Sequence, residues 1–411
     1  MTNLDYLYNP DAAKPYVDKN FFVDKKLGFQ VIEHGTILPH KDSMVNGKWT
    51  WGNGGIVDGN GEYIKSTHVN SSAGSSYTPP ESIQHSSETV IYLGMFDITW
   101  GHVITDNIRR LWFLKSEFFN QFRNCSLVYI PRYGFNWNSN NKDFRRLMEI
   151  LGIDVDKLQP ITQPTQFDKI ILPDESFYLE GYRKFTNEYR ETIDRIRSFG
   201  LKHSTPISCK KLFFFHGKKG QFGEERLAEY FKSKGYQIVN PEKPRLTFDE
   251  ELNLLVNAES FASNTGSGSM NLLFLRDGTE TILIPRTAYT IIDYQESVNR
   301  VHNLNVTYVD STLSIFSEGM TIGRFLYIVS EPLKRFFGDK WDGYEEEDFK
   351  TFLQYVKHYL NVGFKFNPNI RMRYDKILSD FMAQLKQRED LIKAYDMPPN
   401  WEESLGFKSK A

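Results

Sequence analysis

The stretch "FASNTGSGSMNLLF", Phe261 to Phe274, passes from an apolar run into a loop of glycine and hydroxyl residues and then into a helix-like pattern. A strand ending in such a loop before a helix offers free backbone N–H groups and the positive end of the helix dipole, which suits a phosphate. It is no Walker motif, because Gly268 is followed by Ser269 and Met270 instead of Lys and Ser/Thr, and it supplies only G-x-G of the dinucleotide fingerprint. A tight strand-to-helix connection accounts for it equally well. His102 and Asp106 are a second candidate. Four apart on a predicted helix they share one face, so the carboxylate can hold the imidazole or either group can meet a substrate hydroxyl. Spacing alone favours a plain local pairing at a helix start. A third is Asp154-Val155-Asp156, whose two carboxylates suit Mg or Mn and would serve a metal-dependent phosphate transfer. Its place after "MEILGI" reads better as a helix-exit turn. Ser267 and Ser269 lie outside any G-x-S-x-G elbow, which leaves an esterase reading without support.

These residues need elements to position them. At 411 residues the chain exceeds one ordinary domain, and each of two units could bury a substantial core. With 40% hydrophobic and 25% charged residues and a net charge of -2, it has no basic field of the kind nucleic-acid binding uses. The start, "MTNLDYLYNPDAAKPY", has neither a basic segment nor an apolar core for export, and no run approaches the roughly 18 apolar residues of a membrane span. A cytoplasmic address is expected. Cys125 and Cys209 stand far apart without CxxC spacing, which predicts neither a disulfide framework nor a cysteine zinc site. From Glu88 strands and helices alternate: "TVIYLGMF", "HVITDNIRRLWFLKSEFF", "SLVYIPR", "KDFRRLMEILGI", "KIILPD". After "KHSTPISCKK" a second series begins with "KLFFFHG" and runs to "ETILIPR". The expectation is an α/β protein of two Rossmann-like units facing a cleft. An irregular region of small strands and loops covers 1–87, the α/β units cover 88–205 and 206–310, and a helical extension covers 311–411. Two aromatic clusters, Trp49 with Trp51 and Tyr133, Phe135 with Trp137, read as loop anchors more readily than as sugar-stacking faces.

Read together, Lys211 to Arg286 resembles glycosyltransferase family 61, a family of capsular-polysaccharide and O-GlcNAc-transferase-like enzymes. Gly266, Gly268, Asn271 and Phe274 fall on the family's His-Gly-Ala-Gly-x-x-Asn-x-x-Phe pattern, as do Glu224, Gly235 and Ala258 on the preceding elements. Thr265 stands where the family has His, Ser267 where it has Ala, Glu251 where it has Gln and Lys219 where it has Arg. Earlier, "TWGHVITDNIRRLWFL" resembles the family's Gly-His-x-x-x-Asp-x-x-x-Arg-Leu element through Gly101, His102, Asp106, Arg110 and Leu111. The likeness covers about residues 88–310.

The resemblance implies an inverting glycosyltransferase of GT-B type that moves a sugar from a nucleotide-sugar to a hydroxyl of a glycan or lipid-linked glycan acceptor, with no obligatory metal. Capsular or other surface polysaccharide synthesis is the expected setting. Inverting transfer needs one general base and a set of positive or N–H groups for the departing diphosphate. Asp106 is expected as the base with His102 as its partner. Lys218, Lys219, Thr265, Gly266, Ser267, Gly268, Ser269, Asn271 and Arg286 are expected to hold the donor, and Arg110 and Trp137 the acceptor. A noncatalytic nucleotide- or carbohydrate-binding protein is the alternative that Thr265 keeps open. The C-terminal helices carry apolar positions Ile377, Leu378, Phe381, Met382, Leu385 and Ile392 at helical spacing. The chain's own domains are the expected cover, with the inner face of a membrane or a second copy as alternatives.

Overall fold

Continuous apolar runs, unlike alternating ones, mark strands buried on both faces, as in parallel sheets. Leu212, Phe213 and Phe214, the whole of Ser260–Asn264, and Thr281 to Ile284 are buried in this way. In chain order the strands are β1 (Thr2–Tyr6), β2 (Phe29–Glu33), β3 (Thr36–Lys41), β4 (Met44–Val45), β5 (Lys48–Trp49), β6 (Asn53–Val57), β7 (Tyr63–Ile64), β8 (Gln84–Phe96), β9 (Ser126–Pro131), β10 (Leu158–Pro160), β11 (Thr165–Pro173), β12 (Lys211–Phe214), β13 (Gln237–Val239), β14 (Ser260–Asn264), β15 (Glu280–Ile284) and β16 (Asn305–Val309). The computed structural model describes residues 2–45, 48–69, 74–138, 141–178, 183–215, 221–240, 244–286, 290–311, 313, 324–361 and 375–404.

The chain forms two units. One comprises Met1–Lys19, Thr205–Leu246 and Leu254–Ala411. Its six-stranded sheet runs β1-β16-β15-β14-β12-β13 with every pairing parallel. Counted from β12, five strands follow the order 2-1-3-4-5, which reverses between β12 and β14. In open α/β sheets a crevice forms at the strand C-termini where the order reverses, and ligands bind there. The glycine loop leaves β14 at that edge. The helices Glu346–Asn361, Asp375–Leu385, Glu389–Ala394 and Trp401–Ser404 belong to the same unit. Leu378, Phe381, Met382 and Leu385 are buried with Phe352, Leu353 and Val356 in one core, so the apolar stripe is covered by the chain itself.

The other unit comprises Asn20–Ser204 and Thr247–Asn253. Its eight-stranded sheet has a parallel centre, β10-β9-β8-β11, and an antiparallel flank of β2, β3, β6 and β7. Counted from β8 the centre reads 3-2-1-4. Both sheets therefore carry a reversal point, and the mixed α/β class with parallel sheets is as expected. Residues 1–87 do not form a region apart: β1 extends one sheet and β2, β3, β6 and β7 extend the other.

The predicted helix after β8 is broken. One α-turn, Trp100–His102, passes into a π-helical turn, Val103–Asn107, and then into 3-10 segments at Leu111–Lys115 and Glu117–Phe122. Adjacent side chains on a regular α-helix diverge by about 100°. Here Arg109 and Arg110 are both buried, and both reach the carbonyl of Ser66 and the carboxylate of Glu175. The irregular winding lies on either side of the point where both arginines turn inward. No helix among the described residues is long and apolar enough to cross a membrane.

Candidate active site

Strand β8 ends at Phe96, and the next residue, Asp97, is buried at 1% exposure. Strand β9 ends at Pro131, and the next residue, Arg132, is equally buried. Arg132 Nη1 donates to Asp97 Oδ2 at 3.1 Å, joining the two strand ends. Asp97 Oδ1 also accepts the Thr99 N–H at 2.8 Å, which shapes the turn into the Trp100–His102 helix. Burial pushes the Asp97 carboxyl up, against the opposing pull of His102, Arg132 and the Thr99 N–H.

His102 and Asp106 meet on that helix. The ring Nδ1 is hydrogen-bonded to Asp106 Oδ2, and the Tyr189 hydroxyl pins the intervening turn by donating to the Ile104 carbonyl at 2.7 Å. The Asp106 side chain is 3% exposed and its Oδ1 has no hydrogen-bond partner among the described residues, whereas the His102 side chain is 25% exposed. Burial pulls the imidazole toward neutrality, but the Asp106 hydrogen bond and the charges of Asp106 and Asp97 outweigh it, so its pKa is raised. A carboxylate on Nδ1 fixes the tautomer and leaves Nε2 for proton transfer. The geometry is that of an oriented imidazole, with the acid behind it.

The Trp51 indole stands edge-on to the His102 ring, with centroids 5.5 Å apart at 89°. Arg132 lies 5.6 Å from the Trp51 ring and 4.2 Å from that of Tyr133, and its Nη2 donates to the Trp51 carbonyl at 3.2 Å. Sequence reasoning passed over Asp97 and Arg132 and took Trp51 for a loop anchor. A charged residue directly after each apolar strand was the available signal, since ligand-facing groups collect at the C-termini of parallel strands. Nothing local to Trp51 tells that its loop reaches His102.

Arg110 and Trp137, the expected acceptor contacts, are structural. Arg110 Nε and Nη2 donate to the Pro173 and Ser66 carbonyls at 3.0 and 2.7 Å, beside Glu175. Buried carbonyls and a buried acid engage the cation because a guanidinium cannot be desolvated without partners. Trp137 is 7% exposed and packs on Phe96, Tyr129, Phe135 and Phe144, leaving no face for a sugar. Asp154 caps a turn by accepting the Asp156 N–H at 3.1 Å, and Asp156 pairs with Arg145 at 2.5 Å. The D-x-D serves the turn.

In the other unit the loop after β14 is tightly stitched. Thr265 donates its N–H to the Ile284 carbonyl at 2.9 Å and accepts the Arg286 N–H on Oγ1 at 3.2 Å. Ser269 Oγ accepts the Gly266 N–H at 2.9 Å and lies 2.5 Å from Gln295 Oε1, and both Ser269 and Asn271 are buried. Ser267 and Gly268 are the half-buried residues of the turn. They begin a seven-residue 3-10 helix, Gly268–Phe274, shorter than the expected one. Gly266 has φ +151°, and a Cβ there would meet Arg286 Nη1 at 2.7 Å, so the glycine admits the guanidinium against the loop. Arg286 Nε has no hydrogen-bond partner among the described residues, and burial lowers its pKa. Asn264 Nδ2 donates to Glu224 Oε1 at 2.9 Å, tying the end of β14 to the helix that follows β12. Lys218 and Lys219 lie outside the described residues.

Compared with known proteins, residues 100–282 match the family model Glycosyltransferase 61. The matched stretch holds His102, Asp106, Arg110, Glu224 and the loop through Asn271, and leaves Trp51, Asp97 and Arg286 outside. No curated protein matches the chain.

Proposed function

We propose, from the match of residues 100–282 to the Glycosyltransferase 61 model, an inverting, nucleotide-sugar-dependent transferase of GT-B type that glycosylates a hydroxyl of a glycan acceptor in surface or capsular polysaccharide synthesis. The observation that carries the reading is the His102–Asp106 pair, a partly exposed imidazole oriented by a buried carboxylate at the C-terminal end of a central parallel strand. In the proposed step the acceptor oxygen attacks the anomeric carbon of the donor as its proton passes to His102 Nε2. The bond from that carbon to the phosphate oxygen breaks on the opposite face, and the nucleoside diphosphate departs with the electron pair. His102 is thus the base and Asp106 its positioning residue, reversing the roles expected from sequence. The carboxylate that stays behind the ring is the less exposed of the two.

Arg286, with an unpartnered Nε beside Gly266, is proposed to stabilise the leaving diphosphate together with the Ser267 and Gly268 N–H groups, Lys218 and Lys219. These cations would take the role a metal has elsewhere, so the reading includes no obligatory metal. The test is release of nucleoside diphosphate from a panel of nucleotide-sugars by wild type and His102→Ala. Binding of a donor without turnover by the wild type would favour a noncatalytic binding protein.

A further inference from the structure

Exposed apolar side chains gather where His102 opens to solvent. Among the described residues the large hydrophobics most open to solvent are Val31, Met44, Trp51, Ile98, Tyr133 and Leu201. Trp51, Ile98 and Tyr133 stand on three loops that converge on the buried Asp97–Arg132 pair. Ile98 follows Asp97, Tyr133 follows Arg132, and the Trp51 carbonyl accepts from Arg132.

The two aromatic rings are held in place. Arg132 Nη2 donates to the Tyr133 hydroxyl at 2.5 Å while its guanidinium covers one region of that ring at 4.2 Å. His40 Nε2 lies 3.3 Å from the Trp51 carbonyl, and its ring meets Tyr133 edge-on at 5.3 Å. Tyr133 keeps φ +48°, a left-handed conformation that bulky side chains adopt only when their surroundings impose it. Both residues nonetheless remain 37–40% exposed. Rings held against a buried cation and still partly exposed can serve as contact faces. Flat aromatic faces with polar edges suit a pyranose ring, whose axial hydrogens form an apolar face rimmed by hydroxyls. An alkyl chain would call for a continuous greasy trough, and here the polar, partly exposed His102 imidazole interrupts the surface.

We propose that Trp51 and Tyr133 form the platform on which a pyranose ring of the acceptor stacks, setting its hydroxyl toward His102. This deepens the reading of His102 as the base and rests on it. Trp51, 5.5 Å from the imidazole, is the wall beside the base. Aromatic stacking of this kind changes affinity by about tenfold at most for one ring.

Saturation-transfer NMR on the full chain, with methyl glycosides of glucose, galactose, mannose and N-acetylglucosamine as probes, reads the platform without any turnover. At least one probe is expected to show transfer concentrated on the hydrogens of one ring face. That signal should fall about fivefold to tenfold in Trp51→Ala and Tyr133→Ala. It should persist in Trp51→Phe and Tyr133→Phe, which keep a ring, and in His102→Ala. Unchanged signal in Trp51→Ala with a native unfolding curve overturns the proposal. So does the absence of contact with every probe, or displacement of the sugars by an alkyl maltoside with transfer to its chain alone. Persistent stacking in a His102→Ala protein that still releases nucleoside diphosphate would leave the platform standing and remove the base assignment.

Discussion

Asp106→Asn preserves the shape of the carboxylate and removes its charge, and three consequences follow from the geometry. The imidazole Nδ1 hydrogen bond weakens, the tautomer is no longer fixed, and two of the influences that raise the His102 pKa vanish, leaving Asp97 to act alone against burial and Arg132. A base works in its neutral form. In the wild type kcat should therefore climb as pH rises through a value above about 6.5, the ordinary position of imidazole. In Asp106→Asn that limb should move to lower pH, while the plateau falls by a factor on the order of 10²–10⁴, the range for losing a well-placed base or its orientation. Stability gives an independent reading. A pKa raised in the folded state contributes stability that is complete below the unfolded value and disappears as pH rises through the folded one. The stability lost in Asp106→Asn should thus be largest below the ordinary imidazole value and shrink as pH rises through the raised folded one. The assay is nucleoside-diphosphate release from about pH 5 to 9, across the imidazole range, beside urea unfolding at the two ends. A wild-type limb in the carboxylate range, with a folded His102→Ala that still turns over, would refute the reasoning and return the base to Asp106.

Gly266→Ala places a Cβ at φ +151° and 2.7 Å from Arg286 Nη1, so donor-induced thermal stabilisation should fall at least tenfold in apparent affinity and the free protein should lose about 1–3 kcal/mol. A Cβ at Gly268 meets nothing within 4 Å, so Gly268→Val should keep the wild-type unfolding midpoint while weakening donor binding, measured by the same thermal shifts; full donor affinity would remove this turn from the phosphate site. Glu175→Gln uncovers Arg109 and Arg110 in the interior and should cost about 3–5 kcal/mol in urea unfolding, a structural loss and not a selective acceptor defect. EDTA should leave turnover largely unchanged, and Asp154→Ala with Asp156→Ala should do the same, since the two acids cap a turn and pair with Arg145 on the surface; a loss reversed by Mg or Mn would place the chemistry on a metal.

What the sequence displays well is what a short window contains. The strand Leu212 to Phe214 is a continuous apolar run because the sheet buries both of its faces, and Ser260 to Asn264, buried throughout, keeps only small or short polar side chains beside Phe261. The loop from Thr265 and the His102/Asp106 spacing are equally local. Other features depend on partners distant in the chain. Asp97 and Arg132 are 35 residues apart and become a pair only because β8 and β9 are adjacent and parallel. The edge strand β1 finds β16 some 300 positions away, so its short polar sequence, "TNLDY", reads as irregular until that neighbour is known. Helical periodicity also misled after β8, because it records apolar faces and is blind to two arginines that must both turn inward.

The same distinction separates the two kinds of aromatic residue. Trp137 and Trp51 occupy similar asparagine- and glycine-rich contexts, and composition gives them one reading. Packing divides them. Trp137 is enclosed by four aromatic rings of its own neighbourhood, whereas Trp51 is supported through its carbonyl by Arg132 and His40 and remains partly exposed beside His102. An anchor uses its ring to hold the loop. At Trp51 the loop is held by other means, and the ring is left available, which is the physical condition for a residue that meets a ligand.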